Sequence, residues 1–282
     1  MTDVPATFAL GGDLTVHRLG FGAMRLTGEG NWGLPEDPAG ALKVAQRAVE
    51  LGVDFIDTAD AYGPGTNEEQ LAEALHPYQE GLVIATKAGQ SRPSPSEWKP
   101  LGRPEYLRQQ CELSLRRLKV ERIDLFQLHR IDPQVPAEEQ FEALARLQQE
   151  GKVRHLGLSE VTVEQIEQAQ RFFPVVSVQN LFNLTDRSHE AVLDHCTQQN
   201  IAFIPWLPIA RGEHARPGSP VAGVARELDA TPAQVALAWL LHRSPVVIPI
   251  PGTSSVAHLE ENLRAADLSL TDDQFARLSQ LA

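Results

Sequence analysis

The sequence predicts an α/β fold, a (β/α)8 TIM barrel with an N-terminal β-hairpin at its bottom, in one domain over residues 1–282. Short apolar runs alternate with amphipathic stretches along the whole chain, which is the pattern of strand, helix, strand. Three successive runs end abruptly on a titratable side chain, at Asp57, Lys87 and His129. An open doubly wound sheet is disfavoured, because Gly20-Phe-Gly22-Ala-Met-Arg25 has Arg where a GxGxxG turn needs its third glycine. A length of 282 residues also suits one closed barrel of about 250 residues.

Taken in order, residues 8–16 read as a hairpin turning at Gly11-Gly12-Asp13, placed to plug the barrel bottom. Strands are expected at 18–22, 53–57, 82–87, 123–129, 153–159, 175–180, 201–206 and 246–250. Between them, apolar residues recur at spacings of three and four in 41–51, 68–75, 104–118, 137–149 and 162–172, which predicts helices. Three helix starts are written explicitly as capping boxes: Thr162-Val-Glu-Gln165, Thr231-Pro-Ala-Gln234 and Thr271-Asp-Asp-Gln274. Pro232 stands at the first helical position of the second.

Bulk properties narrow the class of partner. A formal charge of −12 argues against a polyanion such as nucleic acid spread over the surface, while leaving room for a local phosphate site. Met1-Thr-Asp-Val-Pro5 lacks the basic start and apolar core of a signal peptide, and no run approaches the ~18 apolar residues of a membrane span. Cys111 and Cys196 lie in separate helical patterns without metal-ligand spacing, so they read as free thiols of a cytoplasmic protein. A monomer or weak homo-oligomer without a metal is expected.

Side chains in a strand repeat every second residue, so Asp57, Lys87 and His129 project from consecutive barrel strands at one mouth. Tyr62, five residues past the acid, can lean over the same mouth. Acid, phenol, amine and imidazole together are the parts of a proton-donating site. Singly, Asp57 could cap a helix, Lys87 end a strand in solvent and Tyr62 pack as an aromatic. His76, His155, His189, His195 and His242 lack a comparable setting and read as surface or internally satisfied residues.

Eight motifs in barrel order now amount to a resemblance. They are Leu19-Gly-Phe-Gly-Ala-Met24, Phe55-Ile-Asp-Thr-Ala-Asp-Ala-Tyr-Gly63, Ala85-Thr-Lys87, Asp124-Leu-Phe-Gln-Leu-His129, Gly157-Leu-Ser-Glu160, Val178-Gln-Asn180, Ile204-Pro-Trp-Leu-Pro-Ile-Ala-Arg-Gly212 and Ile248-Pro-Ile-Pro-Gly-Thr-Ser-Ser255. The chain resembles the aldo-keto reductases over its whole length, and is most similar to bacterial members that include pyridoxal reductases. The resemblance implies a reductase of aldehydes or ketones that uses NADPH, with NADH possible, and no metal.

It also implies roles. Tyr62 would donate the proton, Lys87 lower the phenol's pKa, Asp57 hold Lys87, and His129 orient the carbonyl. Cofactor contacts are implied for Gly22, Ala23, Met24, Asp57, Ser159, Gln179, Trp206, Leu207, Pro208, Ile209, Arg211, Gly212, Ile250, Gly252, Thr253, Ser254, Ser255, His258, Glu261 and Asn262. Trp206 offers a π face for the nicotinamide, and Ser159 and Gln179 hydrogen-bonding groups for its carboxamide. Glu160 stands where many members have Asn. Gly252 and His258 stand where Lys and Arg often grip the 2′-phosphate, so a modest NADPH preference is expected.

A Pro-, Ser- and Trp-rich loop at 88–103, with Trp32 and Trp98, is expected to wall the substrate pocket. Arg130 is placed either against an anionic or phenolic substrate or in a surface salt bridge. A chain end soon after the last helix implies an open pocket, and pyridoxal is the named candidate. Two other readings stand beside the reductase: a Schiff-base lyase built on Lys87, and a weakly catalytic cofactor-sensing subunit.

Overall fold

The computed structural model describes residues 5–210 and 219–281. It begins with an antiparallel hairpin, β1 (Thr7–Leu10) and β2 (Leu14–His17). Gly11 and Gly12 turn it at φ +59° and +85°, backbone angles that only glycine adopts freely. At its tip, Asp13 binds Arg154 and His155 at 2.8 and 2.6 Å. Those two residues open the fifth barrel strand, so the hairpin lies under the strands' N-terminal ends, as expected. His155 is thereby a satisfied residue.

The barrel then unfolds in chain order as β3 (Phe21–Gly22), α1 (Pro38–Glu50), β4 (Phe55–Asp57), α2 (Thr66–Leu75) and β5 (Val83–Ala88). An antiparallel pair, β6 (Gln90–Ser94) and β7 (Glu97–Pro100), follows, where the sequence reading expected an irregular loop. Next come α3 (Pro104–Leu118), β8 (Ile123–Leu128), α4 (Ala137–Gln149), β9 (Val153–Ser159), α5 (Val163–Ala169), β10 (Val175–Gln179), α6 (Glu190–Gln199) and β11 (Ala202–Phe203). The described residues end with α7 (Pro220–Glu227), α8 (Pro232–Arg243), α9 (Val256–Leu263) and α10 (Asp272–Ser279).

Seven strands form one curled parallel sheet in the order β11-β10-β9-β8-β5-β4-β3. The eighth run, 246–250, is not a regular strand, because Pro249 and Pro251 have no N–H to give a ladder. It closes the barrel through carbonyls instead. Phe203 N donates to Val246 O and Ile248 N to Phe203 O on one side, and Gly20 N donates to Pro249 O and Gly22 N to Pro251 O on the other. The first and last strands approach so closely that a Cβ on Gly22 would lie 2.7 Å from Ile250 O. This closure therefore depends on glycine at position 22.

Arg18 bolts this seam. Its guanidinium is 2% exposed and donates to the carbonyls of Pro5, Leu241, Ser244 and Val247. No carboxylate is among these partners, so burial lowers its pKa to about 10. The helices start where the sequence says they should: all three capping boxes are formed, at Thr162, Thr231 and Thr271. Asp37 caps α1 by accepting from Gly40 N, with Pro38 at the first position. Cys111 and Cys196 are buried free thiols, each pushed up to about 12 by burial.

Candidate active site

β4, β5 and β8 bring their terminal side chains to one mouth. Lys87 Nζ donates to Asp57 Oδ1 at 2.6 Å and to the Thr58 carbonyl at 2.8 Å, and lies 3.4 Å from the Tyr62 hydroxyl. On the phenol's other side stands the His129 ring, edge-on with centroids 5.8 Å apart. Asp57's second oxygen accepts from Gln179 at 2.9 Å and from Gln127 at 3.4 Å. Gln127 in turn accepts from Ser177, whose hydroxyl reaches it past Gly157; a Cβ there would sit 2.1 Å from Ser177 Oγ. The sequence reading missed Gln127 as a support, although its shared face with His129 was the signal.

The electrostatics set three protonation states. Lys87 is 0% exposed, and burial pulls its pKa down, yet Asp57 and Tyr62 together raise it above the ordinary lysine value. Burial is also the dominant influence on Tyr62, and it raises the phenol's pKa despite the opposing pull of Lys87. Lys87 pulls the value down as expected, but the desolvation of a buried phenolate outweighs that pull, so the net direction is upward. His129 is held well below the ordinary imidazole value by burial, then by Lys87 and Arg130, and is neutral. Its Nδ1 is buried without a hydrogen-bond partner.

The C-terminal ends of the later strands carry the remaining groups. Ser159 Oγ accepts from Arg130, which also donates to the His129 carbonyl. Arg130 is half-buried, and among the described residues it makes no surface salt bridge. Trp206 is half-buried rather than sealed in the core, and its indole N–H donates to Glu160 at 2.6 Å. Leu207 adopts φ +56° and Leu207 O accepts from Asn183, turning Pro208 and Ile209 back along the barrel rim. Arg211 and Gly212 lie outside the described residues.

Opposite them, Gly22 leads into a 3-10 turn over Ala23–Leu26, with Ala23 buried and Met24 half-buried. Ile250 and Gly252 pass directly beside it, and a Cβ on Gly252 would lie 2.8 Å from Gly22 O. Ser255 caps α9 by accepting from His258 N, and Thr253 Oγ1 accepts from Ser255 N. Ser254 and His258 are exposed, Glu261 is half-buried and Asn262 is buried.

Over the tetrad the β6–β7 hairpin folds as a wall. Trp98 lies 6.3 Å from the Tyr62 ring and 6.4 Å from the His129 ring, each edge-on. Arg92 stacks on Trp98 at 3.6 Å and faces Trp32 at 5.6 Å. Its guanidinium donates to the carbonyls of Gly30, Asn31, Ala61, Pro95 and Glu97.

The sequence profile of the Aldo/keto reductase family matches residues 18–217 and 218–282. The chain is an aldo-keto reductase. This aldo-keto reductase is 54% identical to an uncharacterized oxidoreductase of Schizosaccharomyces pombe over 95% of its own length and 88% of that protein's. It is 42% identical to the pyridoxine 4-dehydrogenase of Escherichia coli, covering 98% of both chains. Its fold matches the crystal structure of a Klebsiella pneumoniae aldo-keto reductase in complex with NADPH, with a TM-score of 0.82 at 26% identity and coverage of 99% and 95%. As an oxidoreductase of this family it acts on small carbonyl compounds, and the lyase reading is not favoured. Among the described residues no helix is long and apolar enough to cross a membrane.

Two further supports of this aldo-keto reductase's site, besides Gln127, were not foreseen. Thr58 holds Lys87 through a backbone carbonyl, which no side-chain pattern can reveal. Arg92 clamps the pocket wall by donating to carbonyls of three separate segments, and nothing in its local sequence announces that.

Proposed function

We propose that the protein is an NADPH-dependent reductase of aldehydes, with Tyr62 as proton donor and a hydroxypyridine aldehyde such as pyridoxal as the first candidate substrate. The observation that carries this reading is the Asp57–Lys87–Tyr62 chain of contacts, closed over by His129. When bound, a reduced nicotinamide would supply hydride to the carbonyl carbon. The oxygen left behind gains negative charge and takes the phenol proton, which Tyr62 retains at neutral pH because burial raises its pKa. Lys87 stays charged and stabilises the phenolate so formed, while Asp57 fixes Lys87 in place. Neutral His129 donates to the carbonyl oxygen and sets its angle.

The residues present fit such a cofactor. The glycine pair at 22 and 252 leaves a close backbone approach without side chains, the half-buried Trp206 offers a ring face, and Ser159 and Gln179 supply hydrogen-bonding groups at the rim. Thr253, Ser254, Ser255 and the first turn of α9 would receive phosphate, with Glu261 and Asn262 nearby on the helix. His258 in place of a permanent cation supports a modest preference for NADPH over NADH. Arg130, held between His129 and Ser159, is placed to meet an acidic phenol on the substrate. A 42% identical relative named for pyridoxine points the same way.

The test is purified protein with NADPH or NADH and an aldehyde panel including pyridoxal, followed by loss of reduced-nicotinamide absorbance. Tyr62→Phe is expected to bind cofactor normally and to lose most turnover, by about 100-fold or more. Turnover near wild type in that variant removes Tyr62 from the proposed role.

A further inference from the structure

Glu160 is the one rim residue whose chemistry the proposed mechanism does not use. It sits at φ +55°, a region that non-glycine residues rarely occupy, just past β9. That turn aims its carboxylate across the ends of β10 and the following loop. Oε1 accepts the indole N–H of Trp206 at 2.6 Å and the backbone N–H of Leu181 at 2.7 Å. Oε2 faces His189 Nε2 at 3.7 Å.

The surroundings of the second oxygen can be worked out from the amide of Asn180. Its Oδ1 accepts from Val161 N, so the other amide atom is the donor. That Nδ2 donates to Val161 O and to His189 Nδ1. With Nδ1 accepting, a neutral His189 carries its proton on Nε2, toward Glu160. Arg130, on the Ser159 hydroxyl, also feels the Glu160 charge. The carboxylate is therefore anchored by neutral donors at close range, and it stands at the N–H edge of the indole.

We propose that Glu160 is a positioning residue that tunes cofactor choice by redox state: acting through Trp206, it makes the site prefer the oxidised nicotinamide over the reduced one. This rests on the reading that Trp206 stacks on the nicotinamide. An indole whose N–H is donated to a carboxylate is richer in π-electron density, and its face attracts cations more strongly. The oxidised nicotinamide ring is a cation, and the reduced ring is neutral. A fixed negative charge at the N–H edge of the indole thus binds one form better than the other, which favours alcohol oxidation relative to a site with a neutral residue there.

Glu160→Gln isolates the charge, because both short hydrogen bonds fall on Oε1 and an amide oxygen can accept both. Affinities for NADP+ and NADPH are measured by isothermal titration calorimetry in wild type and in this variant. The variant is expected to weaken NADP+ by about five-fold while changing NADPH by less than about two-fold. Equal weakening of both cofactors, or no change in either, overturns the proposal, since a purely structural latch would not discriminate between them. A parallel titration of Trp206→Phe separates the two failures. Retention of wild-type cofactor affinity and of full fluorescence quenching in Trp206→Phe removes the stacking reading itself. Loss of both there, together with equal shifts in Glu160→Gln, removes only the redox bias.

Discussion

Lys87 Nζ lies 2.6 Å from Asp57 Oδ1, with the two side chains 0% and 3% exposed. A pair sealed this completely has no water to substitute for either partner. Removing one leaves the other as an uncompensated buried charge, whereas removing both leaves a polar cavity without charge.

Lys87→Met is accordingly expected to destabilise the fold by about 3–5 kcal/mol, measured by urea unfolding. The double variant Asp57→Asn, Lys87→Met should cost clearly less than the sum of the two single changes. Additivity within about 0.5 kcal/mol would show that the two groups are not energetically coupled.

The second prediction is a pH profile. Burial raises the Tyr62 pKa and, helped by Lys87 and Arg130, lowers that of His129. A raised donor pKa keeps the proton on Tyr62 as pH increases, and a depressed imidazole pKa keeps His129 neutral as pH decreases. Neither group therefore titrates between about pH 7 and 9, and reductive turnover in a single-turnover experiment should be flat over that span. A fall in rate across that span, abolished in Tyr62→Phe or His129→Asn, would contradict the assigned protonation states.

The third concerns the pocket wall. Arg92 ties the β6–β7 hairpin to the first loop through the carbonyls of Gly30 and Asn31 and to the turn after β4 through that of Ala61, and carries Trp98 on its face. Arg92→Ala should release Trp98 from above Tyr62 and His129, raising KM by about tenfold while leaving cofactor affinity unchanged. Arg92→Lys should behave similarly, because an ammonium cannot reproduce the planar fork. Wild-type KM in the lysine variant would show that charge alone fixes the wall.

Most of the barrel was legible because alternation of apolar runs, capping boxes and terminal polar residues are local signals. Helices α3 and α4 carry the expected limits, and Thr162, Thr231 and Thr271 cap as written. The shortfalls have physical causes. Prolines at 205, 249 and 251 remove donors, so the last two runs pair through a few bonds rather than a full ladder. Residues 90–100 form a hairpin that Arg92, on β6, anchors to Gly30, Asn31 and Ala61, a long-range interaction with no periodicity. Asp57, Lys87 and His129 were named from strand-end polarity and Tyr62 from its place five residues past the acid, but the sign of the Tyr62 shift depends on burial that only packing reveals. Glu160 stood out as a departure from the family's usual Asn, and its partner Trp206 emerged only from the backbone turn at φ +55°.

The seam between the first and last strands also orders events during synthesis. Arg18 emerges early from the ribosome, yet three of its four acceptors belong to residues 241, 244 and 247, and the bonds that close the sheet wait for residue 251. Until then the nascent chain carries an unpaired β3 edge and a buried-site cation without its acceptors. Such an intermediate is open to edge-to-edge association, so completion of the polypeptide, rather than any earlier helix, is the step at which this molecule becomes safe from aggregation.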